Sequence, residues 1–97
     1  MVKLTLSHLE EIVKWTRSRN SRIRIYLQGT DKIISIYKYV RAEDSQGRPL
    51  PWIQAFGPRP PHIILSSYKI SKIVIEEEGG QTTLSSIKEL LSRLNIL

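Results

Sequence analysis

The sequence predicts an α+β fold in which an N-terminal helix, a five-stranded bent antiparallel sheet or small open barrel, and a C-terminal helix packed on the sheet follow one another. Apolar residues recur at helical spacing near both ends of the chain, and between them apolar and polar residues alternate with the period of a strand. Turn-forming residues divide this middle part into short segments. A chain of 97 residues is expected to form a single domain, residues 1–97, that buries a core without metal or disulfides.

The first helix is predicted to begin at Ser7, which with Glu10 has the spacing of a capping box. Arg17 and Arg19 fall in its last turn, where cations suit the negative end of the helix dipole. Asn20 is the predicted left-handed residue that ends the helix. The apolar stripe that faces the core is formed by Leu9, Ile12, Val13 and Thr16.

Two strands joined by a turn at residues 28–31 are predicted next, the first over 22–28 and the second from Lys32 to about Arg41. Because side chains alternate along a strand, the first strand should bury Ile23, Ile25 and Leu27. If the two strands form an antiparallel hairpin, its outer face carries Arg22, Arg24, Tyr26, Tyr37, Tyr39 and Arg41.

Three further strands are predicted over 52–56, 62–66 and 71–78, with a proline-rich connector at residues 57–61. The acidic run 76–78 is interpreted as a solvated strand end. The last helix is predicted to start near Thr82 or Thr83, with Ser86 and Glu89 as a second capping box one turn later. Its apolar stripe is wide enough to cover the sheet and to leave surface for a homodimer contact, and comprises Leu84, Ile87, Leu90, Leu91, Leu94 and Leu97.

The charge balance indicates a polyanionic partner, because 15 Lys and Arg residues against 9 acidic ones give a net charge of +6. Arginines offer phosphate contacts and aromatic rings offer stacking surfaces, so a non-enzymatic RNA- or DNA-binding protein is the first hypothesis. The alternative is that the tyrosines are simply good strand formers. The hypothesis requires that the arginines are neither neutralised by residues 76–78 nor covered by the last helix. The candidate residues are Lys14, Arg17, Arg19, Arg22, Arg24, Tyr26, Tyr37, Tyr39 and Arg41.

Two other functions fit parts of the chain. Trp52, Phe56 and Arg59 beside the prolines, together with the apolar end at residues 96–97, indicate a protein-interaction module such as a viral or archaeal accessory subunit of a larger assembly. His62 as acid or base and Arg59 as phosphate clamp would suit a toxin-type endoribonuclease.

Several classes are disfavoured by what the sequence lacks. There is no cysteine and no glycine-rich phosphate loop, and the only histidines are His8 and His62, so neither a cofactor nor a metal is expected. No apolar run approaches the roughly 20 residues that span a bilayer, and no secretory leader is evident, so a cytoplasmic protein that does not bind membranes is expected. The lysine-rich, cysteine-free composition favours a thermophile.

Two partial resemblances concern the fold. A short helix followed by strands over 22–75 resembles the Sm-like fold, although the glycine signature of the second Sm segment is absent. Residues 59–66, Arg-Pro-Pro-His-Ile-Ile-Leu-Ser, resemble the arginine–proline–strand element of MazF-type toxins, where that element comes early in the barrel rather than late.

Overall fold

The computed structural model describes residues 6–29, 31–50 and 70–96 of the chain. The predicted α+β class is confirmed: the strands form one open antiparallel sheet in the order β4-β3-β2-β1-β5-β6, with six strands rather than five. The helices are α1 (Leu6–Arg19) and α2 (Ile87–Arg93), and the strands are β1 (Arg22–Leu27), β2 (Ile33–Ile36), β3 (Val40–Glu43), β4 (Pro49–Leu50), β5 (Ile70–Glu77) and β6 (Gly80–Leu84).

Strand β1 lies in the centre of the sheet, between β2 and β5. Its alternation is as predicted, with Ile23, Ile25 and Leu27 buried while the residues between them are half-buried. Both helices contribute to the same core as these isoleucines, so they pack on one face of the sheet and leave the other face to the arginines and tyrosines. From the helices the core receives Leu9, Ile12, Ile87, Leu90, Leu91 and Leu94.

Both helices end at an asparagine in the left-handed conformation. Asn20 has φ 51°, as predicted, and the N–H of Ser21 donates to the carbonyl of Thr16 at 3.2 Å. Asn95 has φ 58° at the end of α2. At the other end of α1 the capping prediction is wrong, because α1 already includes Leu6 and Ser7 therefore lies inside the helix.

The strand predicted from Lys32 to Arg41 is two strands, β2 and β3, separated by a tight turn. Lys38 has φ 64°, and the N–H of Tyr37 donates to the carbonyl of Tyr39 at 3.0 Å. The turn contains neither Gly nor Pro, so the alternation of the sequence continues through it without a visible break.

The segment predicted to begin the last helix is instead strand β6. Ile73 pairs with Leu84 and Ile75 pairs with Thr82. β-branched threonines that follow Gly79-Gly80 after one intervening residue favour a strand that pairs back on β5. The helix begins at the second predicted capping box, where the N–H of Glu89 donates to Ser86 Oγ at 3.2 Å.

Most of the apolar stripe predicted for the last helix packs inside the chain, and its use in a homodimer stays a prediction. Four apolar residues of its stripe, Ile87, Leu90, Leu91 and Leu94, are buried within the chain itself, and Ile96 packs against the same core. The strand predicted over 71–78 is confirmed as β5. The strands predicted over 52–56 and 62–66, and the proline-rich connector, lie outside the described residues.

The loop between β3 and β4 is held by one carboxylate. Asp44 Oδ1 accepts hydrogen bonds from the backbone N–H groups of Gln46 and Arg48, each at 2.9 Å. Arg48 Nε donates to Asp44 Oδ2 at 2.7 Å. The backbone hydrogen bond from Arg48 is the main cause that holds the pKa of Asp44 below its usual value, because it favours the charged form.

Candidate nucleic-acid interface

The register of the sheet brings residues of β1, β2 and β3 side by side on the face that the helices leave uncovered. Arg24 lies opposite Ser35, and Ser35 lies opposite Arg41. Tyr37 directly follows β2 and lies beside the first residue of β1, with the guanidinium carbon of Arg22 5.2 Å from the centre of its ring. Three of the predicted residues, Arg22, Tyr37 and Arg41, thus come together, while Arg24 belongs to a neighbouring contact described below.

A small cavity lies among these residues. It measures about 30 Å³ and is lined by Arg22, Ser35, Tyr37, Tyr39 and Arg41; we call it the Ser35 pocket. Ser35 is only 3% exposed, and its hydroxyl makes no hydrogen bond to any described residue. A cavity of this size holds two or so water-sized groups, which suits the oxygens of a phosphate and excludes a nucleobase.

The two arginines of the Ser35 pocket differ in their charge environment. Arg41 Nε donates to Glu43 Oε1 at 3.0 Å, and Glu43 is buried. This hydrogen bond is the main cause that raises the pKa of Arg41 above its ordinary value, so Arg41 is a fixed cation with a neutralising partner. Arg22 forms no ion pair with any described acidic residue, but Glu76 lies opposite it in the β1–β5 ladder. Arg22 and Tyr37 also line a second, more open cleft together with Glu76, Glu77 and Glu78.

Arg24 does not contribute a free charge to this face. Its guanidinium donates to Glu76 across the β1–β5 ladder, and both side chains are half-buried. Glu77 lies 3.8 Å from Arg93. Two residues of the acidic run, Glu76 and Glu77, therefore form ion pairs, whereas the run was interpreted as a solvated strand end. Arg24 is no longer available to the predicted binding surface.

A second group of cations lies where α1 meets the turn between β2 and β3. Arg17 Nε donates to the carbonyl of Lys38 at 3.0 Å, and the hydroxyl of Tyr37 donates to Asn20 Oδ1 at 2.8 Å. The ammonium of Lys38 lies 5.2 Å from the centre of the Tyr37 ring. We call Arg17, Arg19 and Lys38 the helix–turn corner; within the described part of the chain none of the three forms an ion pair. The corner adjoins the Ser35 pocket, because Tyr37 contacts both.

The remaining predicted residues are less favourably placed. Lys14 pairs with Glu11 at 3.4 Å on the exposed side of α1. The ring of Tyr26 is covered by the ammonium of Lys72, 4.7 Å from its centre. The partner-binding candidates Trp52, Phe56 and Arg59 lie outside the described residues, as does His62.

Two residues of the site were missed by sequence reasoning. Ser35 was not counted among the candidate residues, although the strand period places it on the same face as Tyr37. The sequence feature that could have identified it is a small polar residue within a run of isoleucines. Lys38 was treated as an ordinary residue of a continuous strand, and no local signal marked the turn that exposes it.

No protein-family model, no curated protein and no solved structure matches this chain. None of the described helices is long and apolar enough to cross a membrane. Across residues 6–29, 31–50 and 70–96, no three His, Asp or Glu side chains are grouped in a way that could hold a metal ion.

Proposed function

We propose that this protein is a small, non-enzymatic nucleic-acid-binding protein that contacts the sugar–phosphate backbone of RNA or DNA. The observation that carries the proposal is the Ser35 pocket, in which two arginines, two tyrosines and a buried serine line a cavity of phosphate-oxygen size. The buried hydroxyl of Ser35 has no partner among the described residues, and a phosphate oxygen would supply one.

The charges around the pocket support a polyanion rather than a single small anion. Arg22 and the helix–turn corner provide four cations that no described carboxylate neutralises. Arg22 and Lys38 both contact the ring of Tyr37, and Arg17 is bonded to the carbonyl of Lys38, so a strand with one phosphate in the pocket would lie beside the corner. A chain with a net charge of +6 attracts such a strand before contact is made.

An aromatic surface for bases lies at the rim of the pocket. Tyr39 is 55% exposed and is the only large hydrophobic residue so exposed among those the structure describes. Stacking on such a ring tolerates any base, so the proposed binding depends on single-stranded character more than on sequence.

The test is fluorescence anisotropy of the full-length protein with labelled single-stranded RNA, single-stranded DNA and duplex DNA. Arg22→Glu is expected to weaken binding at least about tenfold, because it removes a charge-assisted contact and adds a repulsive charge. Lys88→Glu is the matched control: it makes the same change of charge at an exposed position of α2, and should change affinity by less than about threefold.

Equal losses in the two variants would mean that only overall charge matters, and would reject the proposed site. Failure of the unaltered protein to bind any of the three nucleic acids at low salt would reject the proposed function itself.

A further inference from the structure

We infer that the Ser35 pocket receives a terminal phosphate of a nucleic-acid strand, a phosphomonoester, rather than an internal phosphodiester. The inference rests on the proposed function and names the chemical group that the pocket would select. It follows from the depth of the pocket, its hydrogen-bond donors and the charges beside it.

The depth of the pocket favours an end group. It is lined by Ser35, which is only 3% exposed, and by Tyr37 and Tyr39. An internal phosphate is tied to a sugar on both sides and offers only two free oxygens. A terminal phosphate has one ester bond and three free oxygens, so it can place two of them in a cavity of about 30 Å³ while the third stays at its mouth.

The unused donors of the pocket suit three oxygens. The N–H groups of Arg22 make no hydrogen bond within the described residues. Arg41 donates from Nε to Glu43, and Tyr39 also interacts with the Arg41 guanidinium. The Ser35 hydroxyl is also free to donate, whereas the hydroxyl of Tyr37 already donates to Asn20. Two guanidinium groups and one hydroxyl can therefore each address a different phosphate oxygen.

The local charge points the same way. Arg22 and Lys38 each lie 5.2 Å from the centre of the Tyr37 ring, and neither is neutralised by a described acidic residue. A phosphomonoester carries about −1.5 to −2 charges near neutral pH, against −1 for a diester. Two cations at one ring that form no ion pair with a described residue suit the monoester, although Glu76, Glu77 and Glu78 line the neighbouring cleft beside Arg22.

The experiment compares oligonucleotides of one sequence that carry a 5′-phosphate, a 3′-phosphate or no terminal phosphate, each as RNA and as DNA, in competition against one labelled strand. The strand with a phosphate at one of its two ends is expected to bind at least about tenfold more tightly than the strand without a terminal phosphate. Ser35→Ala should remove most of that preference, so that the phosphorylated and unphosphorylated strands compete about equally for the variant. Ser92→Ala, which removes an exposed hydroxyl on α2, should keep it.

The other possible results distinguish failure of the inference from failure of the proposed function. Equal binding of all three strands would overturn the inference and leave the proposed function standing. Absence of binding to every strand would overturn both. A nucleoside monophosphate that competes as well as the phosphorylated strand would also overturn the inference, because the ligand would then be a free nucleotide. Thermal unfolding of Ser35→Ala shows that any loss is not a loss of fold.

Discussion

Two buried hydroxyls show how differently a polar side chain can be used in this protein. Thr16 is fully buried, donates to the carbonyl of Val13 at 2.8 Å and accepts from the N–H of Lys38 at 3.1 Å. Ser35 is almost as buried but has no hydrogen-bond partner among the described residues. Since an unsatisfied buried hydroxyl is unfavourable for folding, Ser35 is the residue whose presence a ligand best explains.

Removing these two hydroxyls is expected to change the free energy of unfolding in different ways. Thr16→Val should lower the free energy of unfolding by about 1–3 kcal/mol, because the N–H of Lys38 loses its acceptor. Ser35→Ala should leave it unchanged or raise it by up to about 1 kcal/mol. Urea denaturation of both variants measures this difference. If Ser35→Ala destabilised the protein as much as Thr16→Val, its hydroxyl would have a structural role and the pocket would lose its main argument.

At the scale of elements, the turn between β2 and β3 is built onto the end of α1. Both backbone polar groups of Lys38 are bound by that helix, its N–H by Thr16 and its carbonyl by Arg17. These two bonds hold a lysine at φ 64°, a conformation that costs a residue with a Cβ roughly 1 kcal/mol. The helix thereby fixes the position of an ammonium group beside Tyr37.

The strain and the charge of Lys38 can be separated with two variants. Lys38→Gly should raise the free energy of unfolding by about 0.5–1 kcal/mol relative to Lys38→Ala, because glycine adopts a positive φ without strain. Both variants lack the ammonium and should weaken nucleic-acid binding about equally. Thermal unfolding and anisotropy titrations on the same samples give the two readouts. A glycine variant that is less stable than the alanine variant would contradict the account of the turn.

The elements that the sequence predicts well are those with strong local patterns. The alternation of β1 identified its buried isoleucines, and Asn20 identified the end of α1. The β2–β3 turn was missed because the helix that stabilises it is distant in sequence. Strand β6 was missed because threonine and serine also serve as helix caps, and only pairing with β5 decides between the two roles.

Which cations remain available to bind a ligand depends on contacts between strands that are distant in sequence. Local sequence patterns do not show these contacts. Periodicity placed Arg22 and Arg24 on one face, which is correct, but it could not give their neighbours across the sheet. Glu76 reaches Arg24 only because β5, far along the chain, pairs with β1. The expectation of an open arginine face therefore fails at Arg24, while Arg22, next to Tyr37, lies opposite Glu76 but forms no ion pair with a described residue.

This distribution of charge predicts how binding depends on salt. Each phosphate contact to a single strand contributes about −0.7 to the slope of log K against log salt concentration. If Arg17, Arg19, Arg22 and Lys38 each contact one phosphate, the slope should be about −3. Arg22→Gln should reduce its magnitude by about 0.7, because one fewer counterion is released.

The control for that slope is the double variant Arg24→Gln, Glu76→Gln, which removes an ion pair without changing the net charge. Its slope should equal that of the unaltered protein, because Arg24 is already neutralised and releases no counterion from the nucleic acid. Anisotropy titrations at several salt concentrations measure all three slopes. If the double variant reduced the magnitude of the slope as much as Arg22→Gln does, Arg24 would have to leave Glu76 and bind a phosphate in the complex. The Arg24–Glu76 ion pair would then exist only in the protein without nucleic acid.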